Sequence, residues 1–249
     1  MLMNKKHNVG EKLTNNFGSK MELVKYNNPR DIDVLFPEYN WTAKNVYYTS
    51  FYKGKLRCPY EPRLCSVGYI GEGQYDTKHP AYKTWTYMIR RCYDNSSSYH
   101  APTYNDCIVC GEWHNFQNFA EWYDNNYYEI NNDKMQLDKD ILIKNNKVYS
   151  PDTCCFVNNV INSMFTNKKR FRTNVIGSYK RSGKYEVSCE NTLLKKRQYL
   201  GRYKNEEDAF MAYKNYKEAN IKSVADYYKE KIPDRLYMAL YNYEIDIND

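Results

Sequence analysis

Residues 137–157 read Leu-Asp-Lys-Asp-Ile-Leu-Ile-Lys-Asn-Asn-Lys-Val-Tyr-Ser-Pro-Asp-Thr-Cys-Cys-Phe-Val. A short apolar strand opens the stretch and carries two carboxylates, Asp138 and Asp140. Asn145 and Asn146 follow as a turn, because Asn side chains bond their own backbone and tolerate left-handed geometry. A second strand runs through Val148 and Tyr149, and Ser150-Pro-Asp has the composition of a helix start. Strand, polar turn, strand and helix in this order predict an α+β chain with a functional loop near its middle.

Upstream, Tyr82, Trp85, Met88 and Ile89 recur at helical spacing, and Arg90 and Arg91 end that run where cations favour the helix dipole. Trp113, Phe116, Phe119, Ala120 and Tyr123 form a second stripe, read as core packing rather than a base-stacking platform.

Four linked elements carry a resemblance. They are Trp85-Thr-Tyr-Met-Ile-Arg-Arg-Cys-Tyr, then Cys110-Gly-Glu-Trp-His-Asn-Phe, then Leu137-Asp-Lys-Asp-Ile with Asn146, and last Tyr149-Ser-Pro-Asp-Thr-Cys-Cys-Phe with Asn162. In this order they resemble the degenerate HNH (ββα-metal) modules of phage and mobile-element homing-type endonucleases. The resemblance implies a Mg²⁺- or Mn²⁺-dependent hydrolase acting on DNA phosphodiesters. Such a cation polarises the phosphate and stabilises the leaving oxygen. It takes oxygen ligands, so Asp138 corresponds to the metal-binding carboxylate, with Asn158 or Asn162 as a second ligand.

Asp140 and Asn146 belong to the same catalytic loop, where an asparagine ties the loop through side-chain-to-backbone bonds. The family's histidine base is replaced by Lys139. A lysine is charged at neutral pH unless desolvated, which suits it to hold a phosphate rather than take a proton. The four histidines are His7, His79, His100 and His114, and of these His114 is the candidate to fold towards the motif.

Downstream, twelve Lys or Arg and two acids, Glu186 and Glu190, lie between Lys168 and Lys204. A local cationic segment with interleaved aromatics is the footprint of a polyanion partner. Asn174–Tyr179, Gly183–Cys189 and Arg197–Tyr203 read as three strands. A helix follows that Asn205 caps, with Ala209, Ala212, Tyr213, Tyr216 and Ala219 as its apolar face. Gly183-Lys-Tyr, Leu200-Gly-Arg-Tyr and Glu206-Glu-Asp-Ala resemble the AP2 DNA-binding domain. The resemblance implies a three-stranded sheet in the major groove of double-stranded DNA. It puts the contacts at Tyr179, Arg181, Lys184, Tyr185, Lys195, Lys196, Arg197 and Arg202. Pro233 then starts a last short helix that packs on this domain.

The N-terminal third is read as residues 1–8, a polar tail, and 9–56, an SH3-like β-barrel of short strands such as Met21–Tyr26 and Asp31–Phe36. Residues 57–79 form a Gly/Pro-rich connector, part of a basic and aromatic run (Lys53, Lys55, Arg57, Tyr60, Arg63) that either lies along a DNA backbone or is a plain linker. The HNH-like module covers 80–168 and the AP2-like domain with its C-terminal helix covers 169–249.

The chain has 249 residues and a net charge of +7. Its 28 tyrosines, beside abundant Asn and Lys, in part reflect an AT-rich coding sequence and also suit base stacking. No apolar run reaches the length of a membrane span, and the N-terminus lacks a secretory apolar stretch. A cytoplasmic protein is expected, in a bacterial host if phage-encoded. Eight cysteines there mean thiols or, less readily, a Zn²⁺ site around Cys107-x-x-Cys110 with Cys92, Cys154 and Cys155. No membrane partner and no small-molecule cofactor are expected. The rival readings are a non-catalytic DNA-binding protein on the same fold and a phage accessory protein that binds a host protein through the barrel.

Overall fold

A computed structural model describes residues 9–94, 96, 104, 106–165 and 176–247. The tail 1–8, His7, His100, the basic residues Lys168 to Arg172 and the start of the strand expected at Asn174 lie outside the described residues. The chain is α+β with several small sheets. It divides into two compact units, Met1–Asn105 with Val109–Glu121, and Asp106–Ile108 with Trp122–Asp249. The division falls inside the segment 80–168.

In the first unit, β1 (Lys12–Thr14), β2 (Lys20–Asn28), β3 (Asp31–Phe36) and β4 (Trp41–Val46) form an antiparallel meander in chain order. The alternation in Asp31–Phe36 puts Ile32, Val34 and Phe36 on one buried face. Among the described residues no ladder joins β1 to β4, so the sheet is open and the expected barrel does not close. The physical reason is what covers the inner face. Phe51 of α1 (Tyr48–Tyr52) and Cys58 pack on Met21, Leu23, Ile32, Val34 and Phe36 in place of a closing strand.

The connector is held rather than slack. Glu61, 3% exposed, accepts from Asn15 (3.2 Å), from Ser19 and from Arg57 Nε (2.9 Å). A Cβ on Gly68 would stand 2.9 Å from the Trp85 ring, so that glycine permits the close approach of the connector to α2 (Pro80–Tyr93). Trp85 donates Nε1–H to the Trp113 carbonyl (2.6 Å) and its ring meets Phe116 at 5.4 Å. The first two elements of the four-part motif are therefore joined through one tryptophan.

Next come β5 (Ile108–Val109), a 3-10 turn over Gly111–His114 and α3 (Phe116–Asn126). The stripe Trp113, Phe116, Phe119, Ala120 and Tyr123 is buried throughout, as core packing requires.

The second unit contains β6 (Gln136–Asp138), β7 (Val148–Tyr149), β8 (Cys155–Val157) and α4 (Asn159–Phe165). β6 pairs with β8, and Ile108 beside β7 donates to the Lys147 carbonyl (2.9 Å). The helix expected at Ser150-Pro-Asp is instead a turn closed by Cys154 N–H on Ser150 O (3.0 Å). The wholly buried run Cys155-Phe156-Val157 makes a strand there, and the helix waits for Asn158 to cap it. Phe156 anchors this region between the rings of Trp122, Tyr123 and Tyr127, with centroids 5.1–5.3 Å apart.

β9 (Ser178–Arg181), β10 (Lys184–Asn191) and β11 (Lys196–Tyr203) make an antiparallel sheet in the order β11-β10-β9, packed on α5 (Glu206–Tyr228). Asn205 caps α5 by accepting from Asp208 N–H (2.8 Å), and Glu206, Glu207 and Asp208 occupy its first turn, favoured by the dipole. The buried face of α5 is Ala209, Tyr213, Asn220, Ile221, Val224, Ala225 and Tyr228, whereas Ala219 is exposed. α6 (Asp234–Tyr241) follows Pro233 and buries Leu236 and Leu240 beside α5. Among the described residues no helix is long and apolar enough to cross a membrane.

Candidate nucleic-acid interface and metal site

β6 delivers Asp138 to the mouth of the central loop. Gln136 and Asp138 share one face of the strand, since side chains alternate. Asp138 Oδ1 accepts the N–H groups of Asp140 (2.9 Å) and Ile141 (2.8 Å) and turns the chain. Lys139 is only 6% exposed. Its Nζ donates to Asp140 Oδ2 (2.8 Å) and the Asn146 carbonyl (3.1 Å) and lies 5.9 Å from the centre of the Tyr149 ring. Asn146 closes the loop, donating to the carbonyls of Lys139 (2.6 Å) and Val148 (2.7 Å) and accepting from Val148 N–H (3.2 Å).

Burial and then the nearby Asp140 charge push the Asp138 carboxyl up to about 6, against the pull of its two backbone N–H groups and Lys139. For Lys139, burial acts to lower the pKa, but the hydrogen bond and charge of Asp140, with Cys107 and Asp138, outweigh it and leave it raised. Lys139 is thus an ammonium with no lone pair to accept a proton.

Asp138 Oδ2 faces no hydrogen-bond donor among the described residues. Asn158 is fully buried, and its oxygen is spent on Ile161 N–H (3.0 Å) as the α4 cap while its Nδ2 has no partner. Its oxygen therefore already serves the start of α4. Asn162 donates to Gln136 Oε1, which places it beside the face of β6 that carries Asp138. Divalent cations such as Mg²⁺ bind through one or two carboxylates, water and substrate phosphates, and of these Asp138 offers one carboxylate oxygen. Among the described residues no three His, Cys, Asp or Glu side chains come together in a group that could hold a metal ion.

The three-stranded sheet presents the opposite kind of surface. The register sets Arg181 against Lys184, Tyr179 and Arg202 against Glu186, Tyr199 against Ser188, and Arg197 against Glu190. Paired residues share a face, and this is the face turned away from α5. Its four cations exceed its two acids. Two of the cations are held by neighbours on the sheet: Arg202 Nε lies 3.8 Å from Glu186 and its Nη2 donates to the Arg181 carbonyl (3.0 Å), while Arg197 Nε donates to Ser188 Oγ (2.7 Å).

Tyr185 belongs to the other face. It is 7% exposed, donates its hydroxyl to Glu206 (2.9 Å) and lies under Lys180 at 5.0 Å. Alternation from Lys184 puts it there, so it is corrected from a DNA-touching residue to a core residue. Lys195 sits in the β10–β11 turn at φ 51° and Lys196 opens β11, both exposed. Tyr199, 59% exposed in the middle of the outer face, is not among the residues the resemblance points to. The same alternation, counted back from Arg202 across the bulge at Leu200, finds it only with the bulge known.

Other candidates have local partners. His79 caps α2 through Nδ1 (3.3 Å from Ala81 N), and His114 packs its ring against Tyr93. Arg57 lies 4.1 Å over Phe17 besides its Glu61 bond, and burial lowers the Arg63 pKa, so these connector cations serve the fold. None of the eight cysteines is in a disulfide. No protein-family model, curated protein or solved structure compared with the chain matches it.

Proposed function

We propose that this protein binds double-stranded DNA through the outer face of an AP2-like β9–β11 sheet and is an HNH-type, homing-like endonuclease that hydrolyses a DNA phosphodiester with Mg²⁺ or Mn²⁺ at Asp138. The observation that carries the reading is the sheet face. Arg181, Lys184, Arg197 and Arg202 lie exposed on one side of three strands with Tyr179 and Tyr199 between them. Cations that contact phosphates and aromatics that stack on bases are what a DNA-reading surface needs. In the loop, Asp138 supplies the open oxygen and Asn146 holds the geometry, while Lys139 and Asp140 form the internal ion pair.

A second reading is a DNA-binding protein that does not cleave, and one observation favours it. Lys139 is buried and bonded where a base would stand, and as an ammonium it has no lone pair to take the water's proton. One experiment separates the two. Supercoiled plasmid is incubated with the protein in Mg²⁺ or Mn²⁺ beside Asp138→Ala. Metal-dependent nicking that disappears in the variant supports the endonuclease. Salt-sensitive binding without nicking in either metal leaves the binder alone standing.

A further inference from the structure

We propose that the tip of the β10–β11 hairpin is an apolar wedge that enters a base step of bound DNA. This rests on the DNA-binding reading of the sheet. The tip is Thr192-Leu193-Leu194-Lys195, and its leucines are 39% and 68% exposed. They are nevertheless held firmly. Leu194 N–H donates to Asn191 Oδ1 (2.9 Å), and Thr192 N–H donates to Asn220 Oδ1 (3.1 Å). Asn220 is an α5 residue only 5% exposed, and its amide also reaches Thr192 Oγ1 (2.9 Å) and the Glu190 carbonyl (3.3 Å). Asn191 Nδ2 donates to Tyr216 OH (3.2 Å), and Lys195 accepts a left-handed φ of 51°.

A buried asparagine is costly unless its bonds are all made, and here they are made to brace a solvent-exposed turn. The bracing therefore fixes where two exposed leucines stand. Lys195, Lys196 and Arg197 follow them directly, and Arg197 is the first outer-face residue of β11 after the turn. Leucines inserted between base pairs unstack them and kink the duplex, and flanking cations hold the backbone on either side. The occupant is thus a deformable step of double-stranded DNA, with the charge of the tip complementary to its phosphates.

Permanganate oxidation of unstacked thymines tests this without a known target. The full chain is bound to an end-labelled plasmid fragment, beside Leu193→Ser/Leu194→Ser and Arg181→Ala/Arg197→Ala. Wild type is expected to create hyperreactive thymines. The serine variant should abolish them while its gel-shift affinity falls no more than about tenfold, because the inserted side chains are gone but the phosphate-binding cations remain. Binding by wild type with no hyperreactive thymine, or equal reactivity in the serine variant, overturns the wedge and leaves the sheet reading intact. Absence of DNA binding by wild type removes both. Leucine-dependent binding to vesicles containing anionic lipid, with DNA binding unchanged in the serine variant, assigns the tip to a lipid surface and also overturns the wedge.

Discussion

The central loop and the C-terminal sheet use the same residue types in opposite ways. In the loop, the Lys139 ammonium is buried and spends its hydrogen bonds on Asp140 and Asn146. In the sheet, Arg181, Lys184, Arg197 and Arg202 stand exposed on one face, where Glu186 approaches Arg202 at 3.8 Å. Charge turned inwards serves the fold, because an ion buried without its partner is expensive. Charge turned outwards and held in register is available to a ligand. The loop should therefore matter first to stability and the sheet first to binding.

The largest expected effect breaks the sheet. Arg181→Ala with Arg197→Ala should weaken duplex binding by about 2–6 kcal/mol in total, at about 1–3 kcal/mol for each arginine. The slope of affinity against salt should fall by roughly 0.9 for each phosphate that the variant no longer neutralises. Gel-shift titrations at several salt concentrations measure both. The melting temperature should hardly move, since both side chains are exposed. A variant that melts early but binds normally would reverse the comparison.

The next effect breaks the loop. Asn146→Ala removes two donors and an acceptor that close residues 139–148. The Val148 carbonyl keeps the Thr153 hydroxyl (2.7 Å), whereas the Lys139 carbonyl and Val148 N–H lose their bonds to Asn146, at about 1–3 kcal/mol for each one buried and unsatisfied. Urea denaturation should show a destabilisation on the order of 3 kcal/mol. DNA affinity of the folded fraction should stay within a factor of two or so, because the sheet is unaffected.

These two regions are also unequally legible in the sequence. The sheet and its helix are readable because alternation, the Arg181-Ser-Gly turn and the Asn205 cap are local signals. The loop's strands are harder to place because two- and three-residue strands leave no periodicity to read, and Pro151 looks like a helix start while serving a turn. The direction in which Lys139 points is a tertiary matter that depends on Asn146 seven residues away. The open N-terminal sheet escapes the sequence for a similar reason, since only the packing of Phe51 and Cys58 shows what fills the place of a closing strand.

A smaller effect sharpens the sheet's two faces. Tyr199→Ala should cost about 1–3 kcal/mol of DNA binding if its exposed ring stacks on a base, with little change in melting. Tyr185→Phe should do the reverse. It removes the hydroxyl bond to Glu206 and about 1 kcal/mol of stability, while DNA binding holds. Equal effects of the two on binding would mean that the faces are not distinct.

The smallest effect tests whether the loop keeps a latent cation site. The Asp138 carboxyl titrates at about 6 when folded, above an ordinary carboxylate at 3.8, so its contribution is complete below the ordinary value and is lost as pH rises through about 6. Asp138→Asn keeps the oxygen that accepts Asp140 and Ile141 N–H and removes the charge. In a chelator, the variant should therefore be more stable than wild type near pH 7.5, by about 1–2 kcal/mol once partial solvent screening is allowed for. The difference should shrink as pH is lowered towards 4. Millimolar Mg²⁺ near pH 7.5 should raise the melting temperature of wild type and not of Asp138→Asn, because a bound cation offsets the burial cost of the Asp138 charge and its repulsion with Asp140, both of which the substitution removes. If Mg²⁺ leaves both proteins unchanged while the pH dependence is observed, Asp138 is a charge the fold tolerates without a metal, and the loop then belongs wholly to the fold as the sheet belongs to the ligand.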